Sequence, residues 1–214
     1  MDFFNIQNFS LFFSYIRRRL YATFYSLGLL IVIFFFRKHA ADNDRKMSSL
    51  QELVNNLSSS DVREQALFEL SKRTELFDDL AILLWTTPTV MTALLQEIIA
   101  IYPDLSNEAL TLAQSNKVCN VLALFQCVAS HPATRMPFMS AQMPIYVYPL
   151  LNTRFKSKPF EYLRLASVGV IGGLVKVDDT EVISFLTSTE VMPMCLCTME
   201  VGSELTKTVE FPDS

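Results

Sequence analysis

The chain is poor in the residues that site chemistry and turn-rich folds need. Its 214 residues include two histidines, four cysteines, five glycines and one tryptophan. So few His and Cys leave little material for a metal centre or a nucleophile–base pair. Cys195-Leu196-Cys197 has no second Cys pair, and the nearest histidine, His131, lies 64 residues upstream, so the spacing is not a zinc signature. Cys119 and Cys127, eight residues apart in an apolar stretch, read as core thiols. Scarce glycine and nine prolines argue against a many-turned β-sandwich. Gly169-Val170-Ile171-Gly172-Gly173 contains a GxxG, yet it follows a helical run and lacks the P-loop lysine. Close helix approach, or a shallow surface that admits a partner, suits it better. His131, before Pro132, sits at a helix junction where it can satisfy free backbone groups, and Asp178-Asp179 suit the start of a helix. No constellation supports catalysis, and no cofactor or metal is expected.

What is present is apolar mass, unevenly spread. Half of the chain is hydrophobic, enough for one domain with a real core or one elongated repeat array. Residues 1–46 hold 9 of the 17 Phe and 7 of the 18 Lys and Arg, against three acids. The rest, 47–214, carries 11 basic and 19 acidic residues, a net charge of −8. So acidic a body is a poor general binder of nucleic acid, which needs Lys and Arg against phosphate. Arg154, Lys156 and Lys158, with Arg164 beyond, form its one basic cluster. A solvated loop is the simpler reading, and a phosphate contact the alternative.

Residues 20–36 run for 17 positions without a charge, flanked by Arg17-Arg18-Arg19 and Arg37-Lys38. That is the short end of a bilayer span, about 17–25 residues. It fits a signal peptide badly, and basic flanks on both sides leave orientation undecided. Two readings stay open: a membrane anchor, or a leader outside the folded unit. The organisation expected is thus a segment 1–46, a repeat domain 47–209 and a short tail 210–214.

From Met47 on, the apolar period is helical. Leu50, Leu53, Val54 and Leu57 follow i, i+3, i+4, i+7, and Ser49 with Glu52 has capping-box spacing. Asp61 is placed at the start of a second helix with Val62, Ala66 and Leu70 on one face. Residues 80–85 form a third, broken at Thr86-Thr87-Pro88, and Pro88 suits the first turn of a fourth running to Tyr102-Pro103. Residues 116–130 are apolar almost all round, which predicts a central buried helix. Residues 145–148 are assigned to a short helix because prolines flank them, and 159–175 and 180–186 continue the pattern, with Asp179 or Thr180 as cap. Met143-Pro144 and Met192-Pro193 each follow a short apolar helix end, with the prolines 49 residues apart, near the armadillo or HEAT period. Gly202 is expected to close a helix and Ser203 to open another that stops after two turns. This predicts a solenoid cut within a repeat, with an exposed apolar end.

Four stretches carry a resemblance: SSSDVREQALFELSKRTELFDDLAILLW, QSNKVCNVLALFQCVASHPATR, KPFEYLRLASVGVIGGLVKVDDTEVISFL and MEVGSELTKTV. They are similar to the Rcd family of cell-differentiation proteins, the armadillo-repeat subunit of the Ccr–Not mRNA deadenylase complex, over residues 47–209. The resemblance implies an all-α, armadillo-like helical repeat solenoid, here shortened; the uncharged run at 20–36 adds the expectation of an apolar N-terminal helix before it. It implies a non-enzymatic adaptor that binds the Not scaffold and helical peptides of RNA-binding adaptors, in the cytoplasm (P-bodies included) and the nucleus. Membrane association through 20–36 is the alternative location. Scaffold-docking positions fall on Thr86, Pro88, Thr92 and Ile99. The family run Trp-(His/Asn)-Ser-Phe-Gly-Thr is here Trp85-Thr86-Thr87-Pro88-Thr89-Val90, losing an aromatic, which predicts weakened scaffold binding. The peptide groove falls on Tyr162, Gly169 and Val209, and a flat glycine beside an aromatic suits a helix laid into a groove. Family members continue past GSELTKTV, so nucleic-acid binding is expected to be weak or lost.

Overall fold

The computed structural model describes residues 43–74, 79–106, 108–189 and 191–201. All regular structure among these is helical: α1 Asn43–Asn56, α2 Arg63–Ser71, α3 Leu80–Thr86, α4 Val90–Ala100, α5 Leu112–Ser130, α6 Pro132–Ser140, α7 Tyr148–Leu151, α8 Lys158–Leu174, α9 Thr180–Ser188 and α10 Val191–Val201. Short 3₁₀ helices at Tyr102–Leu105 and Met143–Val147 follow α4 and precede α7. After α1 the helices fall into three units: α2-α3-α4, α5-α6-α7 and α8-α9-α10. From Arg63 to Leu112 is 49 residues, from Leu112 to Lys158 46, and from Pro132 to Thr180 48. Equivalent helices pack on one another: α2 on α5 on α8, α3 on α6, α4 on the Met143–Val147 turn and α7 on α10. This is an all-α helical repeat solenoid, in which each unit buries its apolar face against its neighbours.

The α5–α8 pair is the centre of the stack, and the sequence explains both helices. Thr111 and Gln114 form a reciprocal capping box that starts α5. Its buried positions, including Val118, Val121, Leu122 and Phe125, spread round most of the cylinder because neighbours contact it on several sides. Pro132 restricts His131 to an extended backbone (φ −83°, ψ 133°), which ends α5. The His131 Nδ1 then accepts from the Ala133 N–H at 3.2 Å and caps α6. Phe125 meets Phe138 edge-on at 5.3 Å, and Trp85 meets Phe138 at 6.4 Å, tying α3, α5 and α6 together. Asp179 accepts from the Glu181 N–H at 2.9 Å and caps α9, so this carboxylate serves as a cap.

Several local expectations are corrected. The first helix starts at Asn43, so Ser49 lies inside it and its spacing to Glu52 is no capping box. The second starts at Arg63, with Asp61 in the preceding turn and Val62 44% exposed. Pro88 does not occupy the first turn of α4. Thr89 is the N-cap there, in the left-handed conformation (φ 68°). The central helix starts at Leu112, four residues before the apolar pattern does, because its cap is polar. The proposed helix break at Gly202-Ser203, the 20–36 run and the tail lie outside the described residues.

Candidate protein-docking surfaces

The corner between α3 and α4 is built from three threonines and a proline. Thr86 and Thr87 hydroxyls donate to the carbonyls of Ile82 and Leu83, at 2.7 and 2.6 Å, closing the last turn of α3. Thr87 is extended, as a residue before proline must be. Thr89 then reverses the chain with a positive φ that a β-branched residue rarely adopts. It stands where the family run has glycine, a second departure that residue-type reading passed over. Val90, Ala93, Leu94 and Ile98 turn inward. Thr86, Pro88, Thr92 and Ile99 are all exposed, Ile99 by 41%. The four positions expected to dock a scaffold therefore lie on the outer side of one corner and one helix, and none carries a charge.

Behind this corner lies a charge network that the sequence pattern did not announce. Glu97 of α4 accepts from Arg63 Nη1 at 2.8 Å and pairs with Lys117 Nζ at 2.6 Å. Burial pushes its carboxyl upward, but hydrogen bonds from Lys117 and Arg63 outweigh this and hold it below the usual carboxylate range. Arg63 Nε also donates to the Leu57 carbonyl at 2.7 Å, fastening the α1–α2 loop. One carboxylate thus joins α2, α4 and α5.

Tyr162 and Gly169 sit seven residues apart on α8, hence on one face. Tyr162 is 41% exposed and Gly169 is buried. Val209 lies outside the described residues. The close-approach role expected of the glycine run belongs to Gly173. A Cβ there would stand 2.7 Å from Ser130 Oγ and 3.1 Å from the Gln126 carbonyl oxygen. In the same row of stacked helices a cleft of about 520 Å³ opens between α2 and α5, lined by Glu64, Phe68, Asn116, Lys117 and Asn120 among others. Asn116 lies 46 residues before Tyr162, the same offset that separates the starts of α5 and α8.

The basic cluster divides. Arg154, Lys156 and Lys158 are exposed on the loop before α8 and at its start. Arg164 is 2% exposed and does not join them. Its Nη1 donates to the carbonyls of Thr153 and Phe155, at 3.3 and 2.7 Å, and so holds the loop that presents the other three. Spacing could not reveal this, since an arginine at an inward helical position reads like any other cation.

The thiols of Cys119, Cys127 and Cys195 are structural in character. Burial pushes Cys119 up to about 12 and Cys127 and Cys195 up to about 11, far from a reactive thiolate. Among the described residues no three His, Cys, Asp or Glu side chains converge on a metal-sized site. Nor, among them, is any single helix long and apolar enough to cross a membrane.

Comparisons with known proteins identify relatives of the chain. The cell differentiation family, Rcd1-like, matches residues 53–211. Cell differentiation protein rcd1 of Schizosaccharomyces pombe is 60% identical over 158 residues, covering 74% of this chain and 56% of the relative. Protein CAF40 of Saccharomyces cerevisiae is 54% identical over 147 residues, 69% of this chain and 39% of the relative. The chain thus spans roughly half the length of these relatives or less. With most of its length matched and its helices stacked in repeats, the chain belongs to the Rcd1-like cell differentiation family.

Proposed function

We propose that the chain is a non-catalytic adaptor subunit of the Ccr–Not complex. In this role it supports mRNA deadenylation, decay and translational repression by binding the Not scaffold at the α3–α4 corner and helical adaptor peptides along α8. The observation that carries the reading is the family match over 53–211, which spans both surfaces. An uncharged, exposed corner suits docking to another helical protein, because covering it strands no unpaired charge. Arg154, Lys156 and Lys158 are the candidate phosphate contacts, too few for strong nucleic-acid binding in an acidic body. The reading places the chain in the cytoplasm, P-bodies included, and in the nucleus.

Co-elution of the full chain with the docking segment of the Not scaffold on size exclusion tests the reading, with Pro88→Phe as comparator. Binding by both, more tightly with Phe, is expected. Binding only by Pro88→Phe means that the natural corner is uncoupled from the scaffold. Failure of both, with circular dichroism showing both folded, rejects scaffold docking. A second reading, a membrane-tethered derivative that sequesters complex partners, is favoured by the 17 uncharged residues at 20–36. Resistance to carbonate extraction from membranes would support it, and release into the soluble fraction would reject it.

A further inference from the structure

The loop between α1 and α2 carries Ser58, Ser59 and Ser60, all exposed, just ahead of Asp61. Of the three hydroxyls, that of Ser58 crosses to another element. Its Oγ lies 2.8 Å from Thr89 Oγ1, at the left-handed residue of the α3–α4 corner. The Ser60 hydroxyl instead donates to Asp61 Oδ1 at 3.1 Å. Arg63 already encircles the Ser58 backbone, with Nη2 donating to the Ser58 carbonyl at 3.4 Å and Nε to that of Leu57 at 2.7 Å. Arg63 and Lys117 share the single carboxylate of Glu97, and the acids Asp61 and Glu64 line the cleft beside Lys117. An anionic group added at Ser58 Oγ has the Arg63 guanidinium on one side and, on the other, the Thr89 hydroxyl, which now donates to the Pro88 carbonyl at 2.5 Å and would turn toward the phosphate.

We propose that Ser58 is a phosphorylation site, and that its phosphate, latched by Arg63 and Thr89, weakens docking at the α3–α4 corner. The effect on docking rests on the scaffold reading above, whereas the site and its latch do not. Asp61, three residues downstream, supplies the determinant that an acid-directed serine/threonine kinase reads. The kinase transfers the γ-phosphoryl group of ATP: a P–O bond forms at Ser58 Oγ as the bond to ADP breaks, and the hydroxyl proton passes to the kinase's base. The product carries about −1.5 to −2 charge at pH 7 and three strong acceptor oxygens. Charge-assisted bonds from the guanidinium hold it beside Pro88. A partner that covers Thr86, Pro88, Thr92 and Ile99 must then dehydrate a dianion, which costs binding free energy.

The test treats the full chain with an acid-directed kinase and ATP and maps the phosphate by tandem mass spectrometry. Phosphate at Ser58, absent in Ser58→Ala and strongly reduced in Asp61→Asn, is expected. A ³¹P titration then reads the latch: contact with Arg63 lowers the second phosphate pKa below its usual value of about 6, and 0.5 M salt does not fully restore it. Finally, the phosphorylated chain should bind the Not docking segment at least about tenfold more weakly than the unmodified chain, while unmodified Ser58→Ala binds like wild type. Phosphate on Ser59 or Ser60 but not Ser58, an ordinary phosphate pKa, or unchanged docking after complete modification each overturns the proposal. Failure of the unmodified chain to bind the scaffold refutes the docking reading instead, and the titration still decides the latch.

Discussion

Gly173→Ala is the sharpest probe of how the repeat stack closes. In isolation, alanine favours an α-helix over glycine by about 0.8–1.0 kcal/mol, so propensity predicts stabilisation. Packing predicts the opposite. The new methyl would stand 2.7 Å from Ser130 Oγ, 3.1 Å from the Gln126 carbonyl oxygen and 3.4 Å from the Ala129 Cβ. The Ser130 hydroxyl cannot swing away freely, because it donates to that same Gln126 carbonyl at 2.7 Å. Losing this bond costs about 0.5–1.5 kcal/mol, and forcing the α5 backbone aside costs about 1–3 kcal/mol. Set against the propensity gain, these leave a net loss of about 0.5–4 kcal/mol, read as a lower urea midpoint at unchanged slope in circular dichroism. Adding Ser130→Ala removes the 2.7 Å contact and leaves those at 3.1 and 3.4 Å. The double variant should therefore recover at least about 1 kcal/mol relative to additivity. If Gly173→Ala is neutral or stabilising, or if the cycle shows no coupling, close approach of α8 to α5 is not what this glycine serves.

Three other outcomes follow from named residues. Thr89→Gly should raise stability by about 0.5–1 kcal/mol, since relief of a positive φ, about 1–2 kcal/mol, exceeds the two exposed hydroxyl contacts it removes, to Ser58 and to the Pro88 carbonyl; a fall in the thermal midpoint would refute this. Glu97→Gln should destabilise by about 1–3 kcal/mol at pH 7. Because the native carboxyl titrates below its unfolded value, its stabilisation is complete above about pH 5 and fades as pH falls through and below about 4.3, so urea midpoints of wild type and variant should converge in acid. Arg164→Leu should cost about 2 kcal/mol or more by stranding the Thr153 and Phe155 carbonyls, and should open the Arg154–Lys158 loop to limited trypsin digestion, where wild type resists.

How much was legible beforehand differs from element to element. Apolar spacing located α5, α8 and α9 because each must bury a stripe, and periodicity records burial directly. Helix starts were less legible. The cap of α5 is Thr111 with Gln114, polar residues that leave no mark on an apolar pattern. Ser49 and Glu52 had the right spacing in the wrong place, because a capping box acts only where the helix begins. Thr89 was invisible for another reason: a residue's type suggests its backbone conformation but does not impose it.

What the sequence by itself determined is the helical content, the repeat and the family, all of which are written in local periodicity and residue identity. Only the tertiary structure decided how charges were spent. It turned Arg164 inward to hold a loop, placed two cations on Glu97, and set Ser58 against Thr89 across 31 residues of chain. The physical reason is that hydrophobic burial is averaged over a helix face and so survives in one dimension. Hydrogen bonds and ion pairs depend on distances of about 3 Å between residues remote in sequence, and those exist only once the units have stacked.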